Sequence, residues 1–211
     1  MARGPEAHLH PQAVRAMEHA IREINCQKII TTHSSYFIQS IDLRNIRHFK
    51  KKAGITSVSQ IIDRVRFRVN SITENLQKMV EYNPDVFELQ MDSMELIIKK
   101  PLEESMANGI RSCCPNCDVE NYIRLSRCIF TEKELHDLNM YVQKTRGEIL
   151  FSSKWMLCEG QTEDVIVTYC ADLMGYNLDE YGVSGIMYQS NGTAGAFVKL
   201  ADALGIMISR E

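Results

Sequence analysis

Two glutamates stand four residues apart at the end of an apolar segment, a spacing that suits the binding of a metal ion. Lys154–Cys158 predicts a buried strand, and residues 161–174 predict the helix that follows it. Glu159 would then lie at the carboxyl end of the strand and Glu163 in the first turn of the helix. Open α/β sheets bind their ligands at this edge, and carboxylate oxygens suit a hard cation such as Mg²⁺. The alternative is that both acids only favour the positive end of the helix dipole.

A second candidate residue is His33. It follows residues 28–32, a β-branched run typical of a strand, and precedes two serines. Residues 12–24, further upstream, have apolar side chains at helical spacing and predict a helix. A histidine at the end of a strand could contact a phosphate group, and an ordinary loop histidine is the alternative.

Both segments resemble parts of one protein family. Residues 155–163, ending in Glu-Gly-x-Thr-Glu, resemble the opening of a Toprim domain, the metal-binding cleavage fold of topoisomerases, primases and related nucleases. The second Glu is similar to the version in the OLD (overcoming lysogenisation defect) family, which joins an ABC-type ATPase to a Toprim nuclease. Residues 4–11, Gly-Pro-Glu-Ala-His-Leu-His-Pro, resemble the segment after the Walker B strand of OLD-type ATPases. An ATPase tail followed by a Toprim start is more specific than either motif alone.

The resemblance implies an α/β protein with three parts. These are the tail of an ABC-type ATPase (1–60), a mainly helical connector with a Cys-rich turn (61–147) and the start of a Rossmann-like Toprim domain (148–211). It implies that Glu159 is a metal ligand or general base, that Glu163 is a metal ligand for Mg²⁺ or Mn²⁺, and that His33 senses the γ-phosphate of ATP. The implied partner is DNA, and the complete protein is implied to be a homo-oligomer, because ABC ATPases of this kind work as dimers.

The sequence departs from the family pattern in three places. The two acids that the family has before Pro5 are replaced by Arg3 and Gly4, which can neither hold Mg²⁺ nor act as a base. No Gly-x-x-x-x-Gly-Lys-Ser/Thr phosphate loop occurs. The third Toprim strand, expected to begin at residue 206, is followed by Ser-Arg-Glu rather than by Asp-x-Asp. We therefore expect a fragment of an ATP-dependent DNA endonuclease that is inactive alone, or else a non-catalytic module for DNA binding or docking.

The remaining Toprim elements are predicted from pattern. Residues 182–189 predict the second strand, and residues 190–193 a turn. Ala194–Leu204 predicts an amphipathic helix that Gly205 caps. In the connector, the alternation at residues 64–69 predicts a half-exposed strand, and residues 86–100 predict a helix. A further helix at residues 132–143 is predicted to begin with a Thr131/Glu134 capping box.

Basic residues cluster at positions 44–52, which hold five Lys or Arg and no acid. Such a cluster favours either contacts with DNA phosphates or a solvated surface.

A Cys-x-x-Cys turn lies at Cys114 and Cys117, next to Cys113. Zinc could be held there if Cys128 and His136 completed the site, and free thiols are the alternative.

Composition sets broad limits. Net charge is −3, with 45% hydrophobic and 24% charged residues, as in ordinary globular chains. No apolar run approaches the roughly 20 residues that span a membrane, so no membrane partner is expected. No signal peptide pattern opens the chain, so we expect a cytoplasmic protein whose seven cysteines are mostly reduced.

Overall fold

The computed structural model describes residues 10–115, 117–144, 147–189 and 192–209 as a mixed α/β chain. Two compact units can be separated, one formed by Met1–Arg47 with His136–Glu211 and the other by His48–Leu135. This division rests on compactness alone, so the domain boundaries predicted at residues 60 and 147 stay predictions.

The first unit begins with helix α1, Pro11–Glu23, close to the predicted helix at 12–24. Pro11 stands at its start, where a missing N–H costs nothing. Arg22 donates from Nη2 to the carbonyl of Ser40 at 2.8 Å and so ties α1 to the segment after the short helix α2, Ser35–Ile38. Phe37 of α2 is fully buried.

The strand predicted at residues 28–32 is wrong. The segment between α1 and α2 has no regular structure, and Ile29 is 89% exposed. A β-branched run forms a strand only where a neighbour pairs with its backbone, and the described residues supply no such neighbour here. Instead, Lys28 turns back and donates from Nζ to the carbonyls of Ile21, Arg22 and Ile24 at 2.8–3.0 Å, which satisfies the open end of α1.

The carboxyl-terminal part of the first unit is a three-stranded parallel sheet. Its strands are β6, Lys154–Cys158, β7, Val183–Met187, and β8, Met207–Ile208, in the order β7-β6-β8. Helix α7, Gln161–Leu173, joins β6 to β7, and helix α8, Ala194–Leu204, joins β7 to β8. All five elements lie where the sequence predicts them. Gly205 ends α8 with a φ of 66°, the left-handed conformation that glycine adopts without strain.

The core of this sheet is aromatic. Trp155 of β6 is fully buried and donates from its indole N–H to the carbonyl of Ile149 at 2.9 Å. Phe197 of α8 packs edge-to-face against Tyr141, with ring centroids 5.1 Å apart. Tyr141 belongs to helix α6, Glu132–Lys144, so α6 packs on α8 in this unit. The sheet that supports Glu159 is thus held by large buried side chains.

The second unit contains two separate antiparallel sheets. Strands β1, His48–Lys52, and β2, Ile55–Ser59, form a two-stranded ribbon. Strands β3, Val65–Arg68, β4, Phe87–Gln90, and β5, Glu95–Ile98, form a sheet in the order β3-β5-β4. Its helices are α3, Glu74–Tyr82, α4, Glu104–Cys113, and α5, Glu120–Ser126. The alternation predicted for β3 is confirmed, because Val65 and Phe67 are buried and Arg66 and Arg68 are exposed.

The helix predicted at residues 86–100 is wrong, because β4 and β5 form a hairpin there. The predicted helix ignored the turn at residues 91–94, in which Met94 has a φ of 53°. Phe87 lies opposite Ile98, and both side chains join the core of the unit, as period-two burial requires.

The capping box predicted at the start of α6 is confirmed: Thr131 N–H donates to Glu134 Oε2 at 2.7 Å, and Glu134 N–H donates to Thr131 Oγ1 at 3.2 Å.

Candidate metal centre

The site is built where β6 meets α7. The parallel pairing of β6 with β7 continues past both strands, because Tyr188 N–H donates to the Cys158 carbonyl and Gln189 N–H to the Glu159 carbonyl, each at 3.1 Å. Glu159 is therefore fixed at the carboxyl edge of the sheet, beside Gln189. Gly160 then serves as the N-cap of α7. This is the edge at which α/β sheets bind ligands.

The two glutamates predicted from the sequence are brought together. Glu163 Oε2 accepts a hydrogen bond from the backbone N–H of Glu159. Glu159 Oε1 accepts one from Gln189 Nε2 at 3.4 Å. Both side chains are exposed to solvent, and each retains a second carboxylate oxygen that could bind a cation. Their roles as metal ligands and in catalysis stay predictions.

A third carboxylate, which the sequence analysis missed, lies at the same junction. Asp164 is half-buried in the first turn of α7 and lies against Gly185 of β7. A Cβ atom on Gly185 would overlap Asp164 Oδ1, so the glycine leaves the space that this carboxylate occupies. A glycine inside an apolar strand is a recognised sign of such a close approach. The isolated Gly in Val-Ser-Gly-Ile-Met could therefore have pointed to it.

Cys158, the last residue of β6, is 2% exposed. Burial raises the pKa of its thiol, and the carboxylates of Asp164 and Glu163 raise the pKa further. The raised pKa disfavours the thiolate form that a nucleophilic cysteine needs. Both carboxylates thus interact electrostatically with the Cys158 thiol at the end of the strand, which agrees with a cluster of acids at this edge.

The donor set fits a hard divalent cation in kind, since Glu159, Glu163, Asp164 and the amide oxygen of Gln189 are all oxygen donors. It is incomplete in number. Within the described residues, no group of three or more His, Cys, Asp or Glu side chains is arranged to hold a metal. Among the described residues, strand β8 pairs with Lys154 and Trp155 of β6, which precede the carboxyl edge where Glu159 lies.

His33 lies in the irregular segment before α2 and is exposed. Its ring centroid is 6.2 Å from that of Phe151, in the 3-10 segment Gly147–Phe151. Ser34 N–H donates to Thr32 Oγ1 at 2.9 Å, which forms a local turn just before α2. The histidine is thus presented on a turn rather than at the end of a strand, and its contact with a phosphate stays a prediction.

The cysteines of the second unit do not form a metal site among the described residues. Cys114 is 4% exposed, and burial, together with Cys117 and Cys113, raises its pKa to about 11. Zinc requires thiolate ligands, so binding of zinc here would release the protons of these thiols. The predicted ligand Cys128 is exposed and lies 4.0 Å from the carbonyl of Arg124. The cysteines in the described part of the chain form no disulfide, and both zinc binding and free thiols stay predictions.

A parallel sheet with carboxylates at its carboxyl edge is compatible with a Toprim-type domain, and comparison with known families identifies one. Residues 150–209 match the family described as the overcoming lysogenization defect protein-like TOPRIM domain. Residues 1–71 match a second family, described as a protein of unknown function (DUF2813), which is associated with OLD-type ATPase nucleases. Together the two matches support a fragment of an OLD-family protein. No curated protein matches it significantly.

The Toprim match indicates a coarse function. A Toprim domain of the OLD type is a nuclease-type domain, and Toprim domains use divalent metal ions such as Mg²⁺. DNA is the substrate that such a domain suggests. None of the helices in the described part of the chain is long and apolar enough to cross a membrane.

Proposed function

We propose that this chain supplies the first metal-binding carboxylates of an ATP-dependent DNA endonuclease and that it does not cleave DNA by itself. Glu159 is proposed as a metal ligand or general base, and Glu163 as a metal ligand, for Mg²⁺ or Mn²⁺. A bound metal would stabilise negative charge on the phosphodiester and activate the attacking water. The observation that supports this proposal is the contact of Glu163 with the Glu159 backbone at the carboxyl edge of the sheet.

Activity would depend on groups beyond those described. Cleavage with two metal ions needs several carboxylates around both ions, and the described junction has Glu159, Glu163 and Asp164. ATP hydrolysis would need a phosphate loop and the acids that Arg3 and Gly4 replace. We therefore propose that ATP acts only in a complete assembly, where His33 would sense the γ-phosphate. A homo-oligomer and a cytoplasmic location belong to the same proposal.

A second candidate function is suggested by Arg3 and Gly4, which stand where the family pattern has two acids. A chain that has lost these acids could act as a non-catalytic module that binds DNA or docks onto a complete partner. The two functions differ in their need for metal. The nuclease requires Glu159 and a divalent cation, whereas the module binds DNA in a chelator and is unaffected by substitution of that glutamate.

The test is nicking of supercoiled plasmid by the protein expressed from its own locus with the flanking DNA. We expect nicking that needs Mg²⁺ or Mn²⁺ and that Glu159→Ala abolishes, because the substitution removes a metal ligand. Glu180→Ala is the matched control, since Glu180 is exposed in the same domain and precedes β7 at the opposite edge of the sheet. Undiminished nicking by Glu159→Ala would overturn the assignment of this site.

A further inference from the structure

The ribbon formed by β1 and β2 stands apart from both cores. The strands pair over five residue pairs, from His48 with Ser59 to Lys52 with Ile55, and no third strand joins them among the described residues. Every residue from 51 to 58 is exposed. An isolated two-stranded hairpin is marginally stable in water at best. This ribbon therefore adds little to the fold by burial, and its side chains need another explanation.

Its surface is positive and partly apolar. Lys51 lies on the same face as Phe49, whereas Lys50 and Lys52 lie on the other face, so both faces present ammonium groups. Residues 43–62 contain no acid. Phe49 is 63% exposed and Ile55 74% exposed, which places large apolar groups beside the lysines.

This combination distinguishes the ribbon from the other basic strand of the unit. In that strand, Arg68 lies opposite Glu95 in the ladder, and Arg64, just before the strand, forms an ion pair with Asp63 at 3.4 Å. Lysines on an exposed edge can also serve only to keep strands from pairing with other chains. That role requires neither three consecutive lysines that cover both faces nor an exposed phenylalanine next to them.

We propose that the β1–β2 ribbon is an arm that binds double-stranded DNA. The major groove, about 12 Å wide, admits a two-stranded ribbon, and Lys50, Lys51 and Lys52 would contact the phosphates on its walls. Phe49 would make apolar contact with the DNA that the lysines position. The inference rests on the proposed function in one respect, the choice of DNA as the polyanion.

The test measures binding of a fluorescent 20-bp duplex of mixed sequence to the whole chain by anisotropy, in EDTA so that no cleavage occurs. The triple substitution K50Q/K51Q/K52Q should weaken binding at least tenfold at 0.1 M salt. It should also reduce the slope of log K against log salt by about 3, since each phosphate contact contributes about 0.9. Phe49→Ser should weaken binding and leave the slope unchanged.

The control is K78Q/K100Q/K133Q, which removes the same charge from three exposed lysines of helices and loops in the second unit. It should bind within about twofold of wild type, because contact position rather than net charge sets the slope. Equal weakening by both triple variants would overturn the arm, as would equal binding by all proteins. Binding to phosphatidylserine vesicles but not to DNA would also overturn it.

The outcomes separate this inference from the nuclease. If wild-type chain fails to bind duplex DNA in EDTA, the arm is wrong, while the metal-dependent nicking test still decides the role of Glu159. If the arm binds DNA and Glu159→Ala nicks as wild type does, the arm stands and the metal site is wrong.

Discussion

At the scale of single residues, Glu163 has two uses for one carboxylate. It accepts the hydrogen bond from the Glu159 N–H, which orders the junction between strand and helix. It also presents the oxygen proposed to bind metal. A carboxylate has lone pairs for both tasks, so the hydrogen bond holds Glu163 in place rather than removing it as a ligand. Asp164 is positioned by packing, because Gly185 has no side chain and leaves room for its carboxylate.

Gly185→Ala tests whether the position of Asp164 matters. The added methyl overlaps Asp164 Oδ1, and because that oxygen is the end of a movable side chain, we expect the carboxylate to shift while the fold survives. Metal affinity should fall about tenfold, as it does when a supporting group is displaced. Mn²⁺ titration measures this change, and thermal unfolding checks the fold.

Gly195→Ala is the matched control for this substitution. Its new Cβ would meet nothing nearer than Thr193 Oγ1 at 3.9 Å, so Mn²⁺ affinity should be unchanged. If Gly185→Ala also binds Mn²⁺ as wild type does, Asp164 has no part in the site.

At the scale of elements, the backbone at the tip of the proposed DNA-binding arm is strained. Ala53 and Gly54 form its two-residue loop with φ values of 50° and 81°. A loop with both φ values positive prefers Asn-Gly, because the left-handed conformation costs alanine about 1–2 kcal/mol. The element that we propose to enter DNA is therefore held by a turn that is less than optimal.

Ala53→Asn should tighten this hairpin. We expect a gain of about 1 kcal/mol in local stability, which slows amide hydrogen exchange of β1 and β2 about fivefold. Gly54→Ala should act in the opposite direction because it puts a Cβ on a residue with a φ of 81°. Exchange that is equally fast in wild type and both variants would show that the turn does not limit the stability of the ribbon.

Some elements could be predicted from sequence because local and tertiary preferences agree in them. The apolar stripe of α8 ends at Gly205, and β3 alternates because one face meets the core. The failures have physical causes. Residues 28–32 have strand-forming side chains without a neighbouring strand in the described chain, and residues 86–100 contain a turn whose left-handed residue is Met94 rather than glycine. In the site, Glu159 and Glu163 were predicted by motif, whereas Asp164 emerged only from its packing on Gly185.

At the scale of the whole molecule, charge is unevenly distributed along the chain. Net charge is only −3, yet residues 48–68 hold six Lys or Arg against the single acid Asp63. The acids proposed to bind metal lie in the segment matched by the Toprim family, and the basic arm lies within the span 1–71 matched by the other family. The residues proposed to contact phosphates and those proposed to bind metal thus lie in different segments of the sequence.

The most direct test is binding of Mn²⁺ to the purified chain, followed by electron paramagnetic resonance of the free ion. We predict weak but measurable binding that E159Q/E163Q abolishes, because the substitution removes both anionic ligands and retains their size. The matched control E180Q should bind as wild type does. Equal binding by wild type and E159Q/E163Q, or no binding by wild type at any Mn²⁺ concentration, would contradict a metal centre at the β6–α7 junction.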